Sequence, residues 1–305
     1  MTLSSGKRVL LTGSSGFTGR YMLDELLSHG YEVIALGKSL PETQDDSVRW
    51  LQADLCDLDA LTRSVVDVRP DVVIHLAALA FVAHGSANDF YHVNVIGTRN
   101  LLTALTHGDA TPECVLLASS ANVYGNASEG ELDESTKPAP TNDYAVSKLS
   151  MEYAASLWRE RLPLVVTRPF NYTGIGQADT FLIPKIVAHF CRRSQHIELG
   201  NLDVQRDFSD VRSVVQAYRR LIETINAVGK TINVCSGVAY SLRDVIDFCR
   251  DITGHAIAVR INPAFMRTNE VRILRGNHSL LRQLIGPWSS PPLRETLEWM
   301  LKTAV

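Results

Sequence analysis

A doubly wound parallel α/β sheet with a smaller C-terminal part is the fold that this 305-residue sequence predicts. Three observations carry it. Short apolar runs recur through the first half without strict apolar/polar alternation, and longer amphipathic runs separate them, the rhythm of strands buried on both faces and joined by helical crossovers. The first apolar run, KRVLLTG, leads directly into glycines spaced G-x-x-G-x-x-G. After LPLVVTRPF the rhythm breaks into a loop-rich stretch.

Taken in order, KRVLLTG is the first strand, followed by a helix from the glycine loop to Ser28. YEVIAL is a strand, LTRSVVDV a helix, DVVIHLAA a strand, DFYHVNVIGTRNLLTAL a helix, ECVLLASS a strand, NDYAVSKLSMEYAA a helix and LPLVVTRPF a strand. From Asn171 to Asp207 the chain is punctuated by Gly174, Gly176, Pro184 and Gly200 around a helix at Ile183 to Cys191, and reads as an insertion over a ligand site. SVVQAYRRLIETI and KTINVC return a helix and a strand to the sheet. SLRDVIDFCRDITG is an amphipathic helix ending at Gly254. The pattern divides the chain into a dinucleotide-binding domain, 1–169 with 208–236, and a substrate-binding part, 170–207 with 237–305.

With 45% hydrophobic residues, the chain is long enough for a well-buried core. Its 30 basic and 33 acidic side chains leave a formal charge of -3 and form no long like-charge block, which argues against nucleic acid or a membrane surface as partner and for a small-molecule ligand. Residues 1–11 lack an apolar signal core, and no apolar run approaches a membrane span of about 20 residues. A cytoplasmic location is expected. The cysteines, Cys56, Cys114, Cys191, Cys235 and Cys249, form no C-x-x-C pair and read as reduced thiols. The histidines never fall at metal-ligand spacing, so no metal is expected.

Gly13, Gly16 and Gly19 follow the first strand and open a helix. The first allows the tight turn, the second lets backbone approach a pyrophosphate, and the third lets helix and strand pack closely, with the helix N-terminus facing the anion. In this context the motif indicates dinucleotide binding. At the end of the second strand an acidic residue would hold a ribose 2′-hydroxyl, yet the sequence there is VIALGKSL. Gly37, Lys38 and Ser39 suit a 2′-phosphate, and Arg20 adds charge, so NADPH is the expected cofactor, with NADH possible.

Tyr144 and Lys148 lie four apart and share one helix face. Ser120, in ASSANVYG, completes a constellation with them. A phenol near pKa 10 is a poor acid–base group at neutral pH, but a nearby ammonium and an oxidised nicotinamide both favour its anion. Lys148 can also hold the nicotinamide ribose, and Ser120 can bond the substrate oxygen. The set suits carbonyl reduction or its reverse.

These motifs, with ADL at 53–55, HLAA at 75–78, NVIGTRN at 94–100 and RPFNYTGIGQ, resemble the extended short-chain dehydrogenase/reductase family over essentially the whole chain. The resemblance implies a Rossmann-type cofactor domain. It places Phe17 in the cofactor loop, Asp54 and Leu55 by the adenine, Leu76, Ala77 and Ala78 along the cleft, Asn94 as an indirect support of the tyrosine, and Pro169 and Asn171 where cofactor and substrate regions meet. Within the family, RDFSDV, INVCSG and RTNEVRILRG resemble the reductases of GDP-4-keto-6-deoxy-hexoses, which form GDP-6-deoxyhexoses such as GDP-D-rhamnose. That implies a GDP-sugar substrate, with Arg206 and Arg267 on its diphosphate and Asn122, Asn171, Gln177 and Lys185 lining the sugar-nucleotide pocket. In related enzymes the helices of FYHVNVIGTRNLLTAL and YAVSKLSMEYAASLW pair into a four-helix homodimer interface, which is expected here.

An epimerase or 4,6-dehydratase on the same scaffold, or a non-catalytic NADP-binding regulator, is the competing reading. In the related dehydratases an acidic residue follows the catalytic serine or threonine; here Ala121 and Asn122 follow Ser120. Which face of the sugar receives hydride, and so a rhamnose- or talose-type product, stays open.

Overall fold

The computed structural model describes residues 6–80, 86–125, 130–265 and 272–303. Seven strands form one sheet in the order Thr231–Val234, Leu164–Pro169, Cys114–Ala118, Val72–His75, Arg8–Thr12, Glu32–Gly37 and Val48–Gln52. Every pairing is parallel. Winding reverses between Arg8–Thr12 and Val72–His75, where Thr12 stands in register with His75. A crevice opens there at the carboxyl ends of the strands, the usual ligand site of a doubly wound sheet.

Both faces of these strands are apolar, which explains why the sequence shows no clean alternation. Val9, Leu11, Val33, Ile74 and Leu116 point to one side, where Met22 and Leu26 of helix Phe17–Ser28 and Val214, Tyr218 and Leu221 of helix Val211–Ile222 cover them. Leu10, Ile34, Leu36, Val73 and Leu117 point to the other, against Leu61 and Val65 of Leu58–Val68, Leu101 and Leu105 of Thr98–Leu105, and Met151 of Asp143–Ser156. Burial of each large side chain contributes about 1.5–3 kcal/mol. The edge strand Val48–Gln52 has no counterpart in the predicted elements: its VRWLQ carries Arg49 and Gln52 exposed, as an edge position permits.

The predicted helix over DFYHVNVIGTRNLLTAL is continuous from Ala87 to Leu105, but Tyr91–Gly97 is wound as a π-helix. Gly97 lets this helix pack closely on Leu55, since a Cβ here would lie 3.1 Å from the Leu55 side chain. Helix Leu242–Thr253 ends at Gly254 in the left-handed conformation, φ 63°, as predicted.

A second sheet joins Ala239–Ser241, Gln205–Asp210, Ile273–Gly276 and Gly130–Leu132, with Asn171–Thr173 pairing on Gln205–Asp210. A third pairs Ala258–Ile261 with His196–Leu199. The division expected at 169/170 and 236/237 is crossed twice. Strand Gly130–Leu132 belongs to the second sheet, and Leu281, Ile285 and Trp288 pack into the core beneath helix Val211–Ile222. Both crossings are long-range packing that local periodicity does not report.

Candidate active site

Gly13 adopts φ +75°, and a Cβ on it would stand 2.7 Å from the Ala77 backbone nitrogen; a Cβ on Gly19 would run into the Gly13 carbonyl. Each excluded methyl marks a close backbone approach. The helix that follows starts at Gly16 with no side-chain cap, so its first-turn N–H groups face the crevice uncapped by protein. This cradle fits the pyrophosphate of a dinucleotide. Phe17 opens the helix and stacks on Tyr172, 6.1 Å between ring centres and 13° between planes.

At the end of the second strand, Lys38 forms an ion pair with Asp54, 3.0 Å apart, and its side chain is 82% exposed. The pair holds the Lys38 ammonium pKa above its usual value and, after the Cys56 N–H bond to its carboxylate, helps to hold Asp54 low. Arg20 donates to the Gly176 carbonyl at 2.9 Å. This bond ties the start of helix Phe17–Ser28 to the loop after strand Asn171–Thr173.

Helix Asp143–Ser156, capped by Asn142 on the Ala145 N–H at 2.9 Å, carries Tyr144 and Lys148 inward. Both are buried. Lys148 donates to the Ala118 carbonyl, 2.7 Å, at the end of the central strand. Burial pulls its pKa down to about 8, opposed by the Glu152 carboxylate one turn on. Burial pushes the Tyr144 phenol up to about 12; Ser120, hydrogen-bonded to it, pulls in the other direction. The Lys148 ammonium points at the Ala118 carbonyl, and burial is the largest influence on the phenol, so its net shift is upward. Ser120 in turn accepts from the Asn122 N–H at 3.1 Å, capping the short turn Ala121–Tyr124.

Asn94, expected from the resemblance as an indirect support of the tyrosine, is joined by Ser119, Ser147, Glu152 and Arg168, which lie within the quoted motifs but were given no role from sequence. Asn94, buried, accepts from Leu79 N–H (2.9 Å) and donates to Leu79 C=O (3.1 Å) and to Ser147 Oγ (3.0 Å), which donates to the Tyr144 carbonyl (2.8 Å). Glu152 receives both nitrogens of a bidentate Arg168 pair (3.0 and 2.7 Å) and the Ser119 hydroxyl (2.5 Å). Helical spacing sets Glu152 one turn from Lys148, but its ion-pair partner Arg168 comes from strand Leu164–Pro169, a pairing that local spacing does not announce.

The candidates for the sugar nucleotide are spread over the second sheet and its loops. Asn171 donates to the Asp207 carbonyl, 3.2 Å. The Gln177 amide is engaged at both ends within its own loop, by Thr173 (2.8 Å) and the Tyr172 carbonyl (3.2 Å), and so braces the loop. Lys185 donates to the Glu198 carbonyl at 3.0 Å and lies 4.7 Å over the Phe265 ring. Arg206 projects from Gln205–Asp210 and donates to the Gln205 carbonyl, 2.8 Å. Asn122 is exposed beside Ser120, Pro169 ends its strand in register with Val234, Leu55 is buried, and Leu76, Ala77 and Ala78 are half-buried beyond His75. Arg267 lies outside the described residues.

Residues 10–298 match the sequence profile of the GDP-mannose 4,6-dehydratase family. The chain is 34% identical over 296 residues, 97% of each chain, to GDP-6-deoxy-D-talose 4-dehydrogenase of Aggregatibacter actinomycetemcomitans. It is 34% identical over 306 residues, 97% of this chain and 96% of the relative, to GDP-6-deoxy-D-mannose reductase of Pseudomonas aeruginosa. Among solved structures, a Burkholderia cenocepacia protein described as an epimerase superposes with TM-score 0.93 at 50% identity over 98% of each chain. RMD of Pseudomonas aeruginosa complexed with NADPH superposes with TM-score 0.83 at 31% identity, over 98% of this chain and 99% of that one.

Proposed function

As this chain belongs to the GDP-mannose 4,6-dehydratase family of extended short-chain dehydrogenases/reductases, we propose that it reduces the 4-keto group of a GDP-4-keto-6-deoxy-hexose with NADPH, forming a GDP-6-deoxyhexose such as GDP-D-rhamnose. One observation carries the reading: Ser120, Tyr144 and Lys148 converge in a buried site beside a glycine cradle, and the residues after Ser120 are Ala121 and Asn122, without a carboxylate. Elimination of water from a hexose needs a proton carrier that these side chains cannot be; reduction needs only a hydride and one proton.

Bound NADPH supplies the hydride. Ser120 bonds the C4 oxygen and orients the carbonyl. Tyr144, kept protonated at neutral pH by its burial, gives its proton to that oxygen as charge develops there. Lys148, pinned at Ala118, carries a positive charge below about pH 8 and would hold the nicotinamide ribose. Gly13, Gly16 and the uncapped helix N-terminus would hold the pyrophosphate, and Lys38 would meet the 2′-phosphate. Asn171 and Arg206 face the sugar nucleotide.

The description of the 50% identical structural neighbour favours a second reading, a nucleotide-sugar 4-epimerase. The two differ in stoichiometry. A reductase consumes one NADPH per GDP-4-keto-6-deoxy-D-mannose, read at the cofactor's absorbance; an epimerase interconverts sugars with no net change in cofactor. NMR of the product at C4 then separates the rhamnose from the talose configuration.

We also propose a homodimer, paired through the helices that carry Asn94 and Tyr144, and a cytoplasmic location. Ile96, Tyr153 and Leu157 expose apolar area along the two helices that carry Asn94 and Tyr144, with Tyr153 67% and Leu157 69% exposed. A shallow open groove beside them is lined by Tyr91, His92, Val95, Ile96 and Ser150 among others. Among the described residues, no helix is long and apolar enough to cross a membrane.

A further inference from the structure

His75 ends the strand beside the glycine loop, is buried, and meets a neutral hydroxyl at each ring nitrogen. Its Nδ1 lies 2.7 Å from Thr12 Oγ1 and its Nε2 lies 2.9 Å from Thr98 Oγ1. The hydroxyls at either end have fixed duties. Thr98 Oγ1 donates to the Asn94 carbonyl, 2.7 Å, and Thr12 Oγ1 accepts from the Ala77 N–H, 3.2 Å. Each hydroxyl has one proton. With the Thr98 proton on Asn94, Nε2 must donate; with Ala77 donating to Thr12, the Thr12 proton goes to Nδ1. The opposite tautomer leaves the Thr12 proton with no acceptor among the described residues. Only one direction satisfies every group: Ala77 N–H to Thr12, Thr12 to His75, His75 to Thr98, Thr98 to Asn94.

The ends of this chain are the two backbones that matter. Ala77 borders the close approach that demands Gly13, and Asn94 reaches Tyr144 through Ser147. A buried file of hydrogen bonds thus runs from the Ala77 peptide at the cofactor cradle to the Asn94 backbone, and the Asn94 side chain continues it through Ser147 to the main-chain carbonyl of Tyr144; an unpaired buried member is costly.

We infer that His75 is a positioning residue: as the neutral Nε2–H tautomer it sets a single hydrogen-bond direction between Thr12 and Thr98, and thereby locks the Leu76–Ala77 peptide at the cofactor cradle in register with Asn94 and the helix bearing Tyr144. The inference rests on the reading of that cradle and phenol as the reductase site. His75 touches neither substrate nor cofactor. Lys148, the charged group nearest in effect, disfavours a second charge on the ring.

Two measurements on the full chain test it. In protein selectively ¹⁵N-labelled at histidine, the His75 resonances, identified by their loss in His75→Gln, should report Nε2–H with unprotonated Nδ1 and stay unchanged from pH 5 to 9. An Nδ1–H tautomer, or titration in that range, overturns the inference. The second compares Thr98→Val, which keeps the shape and removes the hydroxyl, with Thr98→Ser, which does the reverse. Thr98→Val should weaken NADPH, titrated by fluorescence, about tenfold and lower kcat about tenfold with KM for the sugar unchanged, whereas Thr98→Ser should stay within about twofold on both. If Thr98→Ser loses as much as Thr98→Val, the site needs the methyl for packing and the relay is wrong. NADPH titration involves no sugar, so a mistaken substrate would appear as wild-type NADPH binding without turnover and would leave this arm readable.

Discussion

Lys38 Nζ stands 3.0 Å from the Asp54 carboxylate just beyond the second strand, an exposed ion pair at the position proposed to meet the 2′-phosphate of NADPH. An exposed pair of this kind is weak because solvent screens it, so a phosphate can compete for the lysine. Lys38→Ala should lower kcat/KM for NADPH about tenfold and leave NADH nearly unchanged. Initial rates with both cofactors check this, and equal loss for both would remove Lys38 as the selector.

Tyr144→Phe keeps the buried ring and its edge contact with Phe90, 6.2 Å between centres, and removes only the hydroxyl. Folding and NADPH binding should persist while turnover falls at least about 10²-fold. Turnover close to wild type would take the proton-donor role away from this phenol.

The His75 ring titrates near pH 3 in the fold against an ordinary value of 6.5, chiefly because it is buried and secondarily because Lys148 repels a second charge. Between those values the unfolded chain binds the proton and the native chain does not, so stability rises with pH across this window and is lost as pH falls from 6.5 towards 3. At about 1.4 kcal/mol per unit, the slope is measurable by urea denaturation from pH 7 to 4. It should be shallower in a folded His75→Gln variant; an identical slope would mean that the acid sensitivity lies elsewhere.

Purified enzyme incubated with GDP-mannose and NADP⁺ should accumulate no 4-keto-6-deoxy sugar, because Ala121 and Asn122 supply no carboxylate beside Ser120. Chromatographic detection of that product would reverse the assignment in favour of a dehydratase.

Leu157→Arg, on the exposed stripe that includes Tyr153, places a charge in the centre of the surface inferred to pair. Light scattering at micromolar concentration should find wild type as a dimer and the variant as a monomer with the same thermal midpoint. A monomeric wild type would contradict the pairing.

What the sequence alone determined is local. The glycine spacing, the strands of a doubly wound sheet, Gly254 as a left-handed helix end, and the i+4 pairing of Tyr144 with Lys148 each depend on residues within a turn or two of one another, and steric and periodic rules act at that range. The edge strand Val48–Gln52 escaped because an edge needs only one buried side. What tertiary structure decided is who faces whom across long stretches of chain: Arg20 meets Gly176, Glu152 meets Arg168, Gln177 turns back on its own loop, and Leu281 returns to the first core. It also decided the electrostatics. Sequence placed an ammonium near a phenol and suggested a lowered pKa, but desolvation sums over every segment that closes on Tyr144, and in this fold that sum outweighs its neighbours. The tautomer of His75 is of the same kind, for Thr12, His75 and Thr98 lie on three elements, and only their packing together gives each proton one place to go.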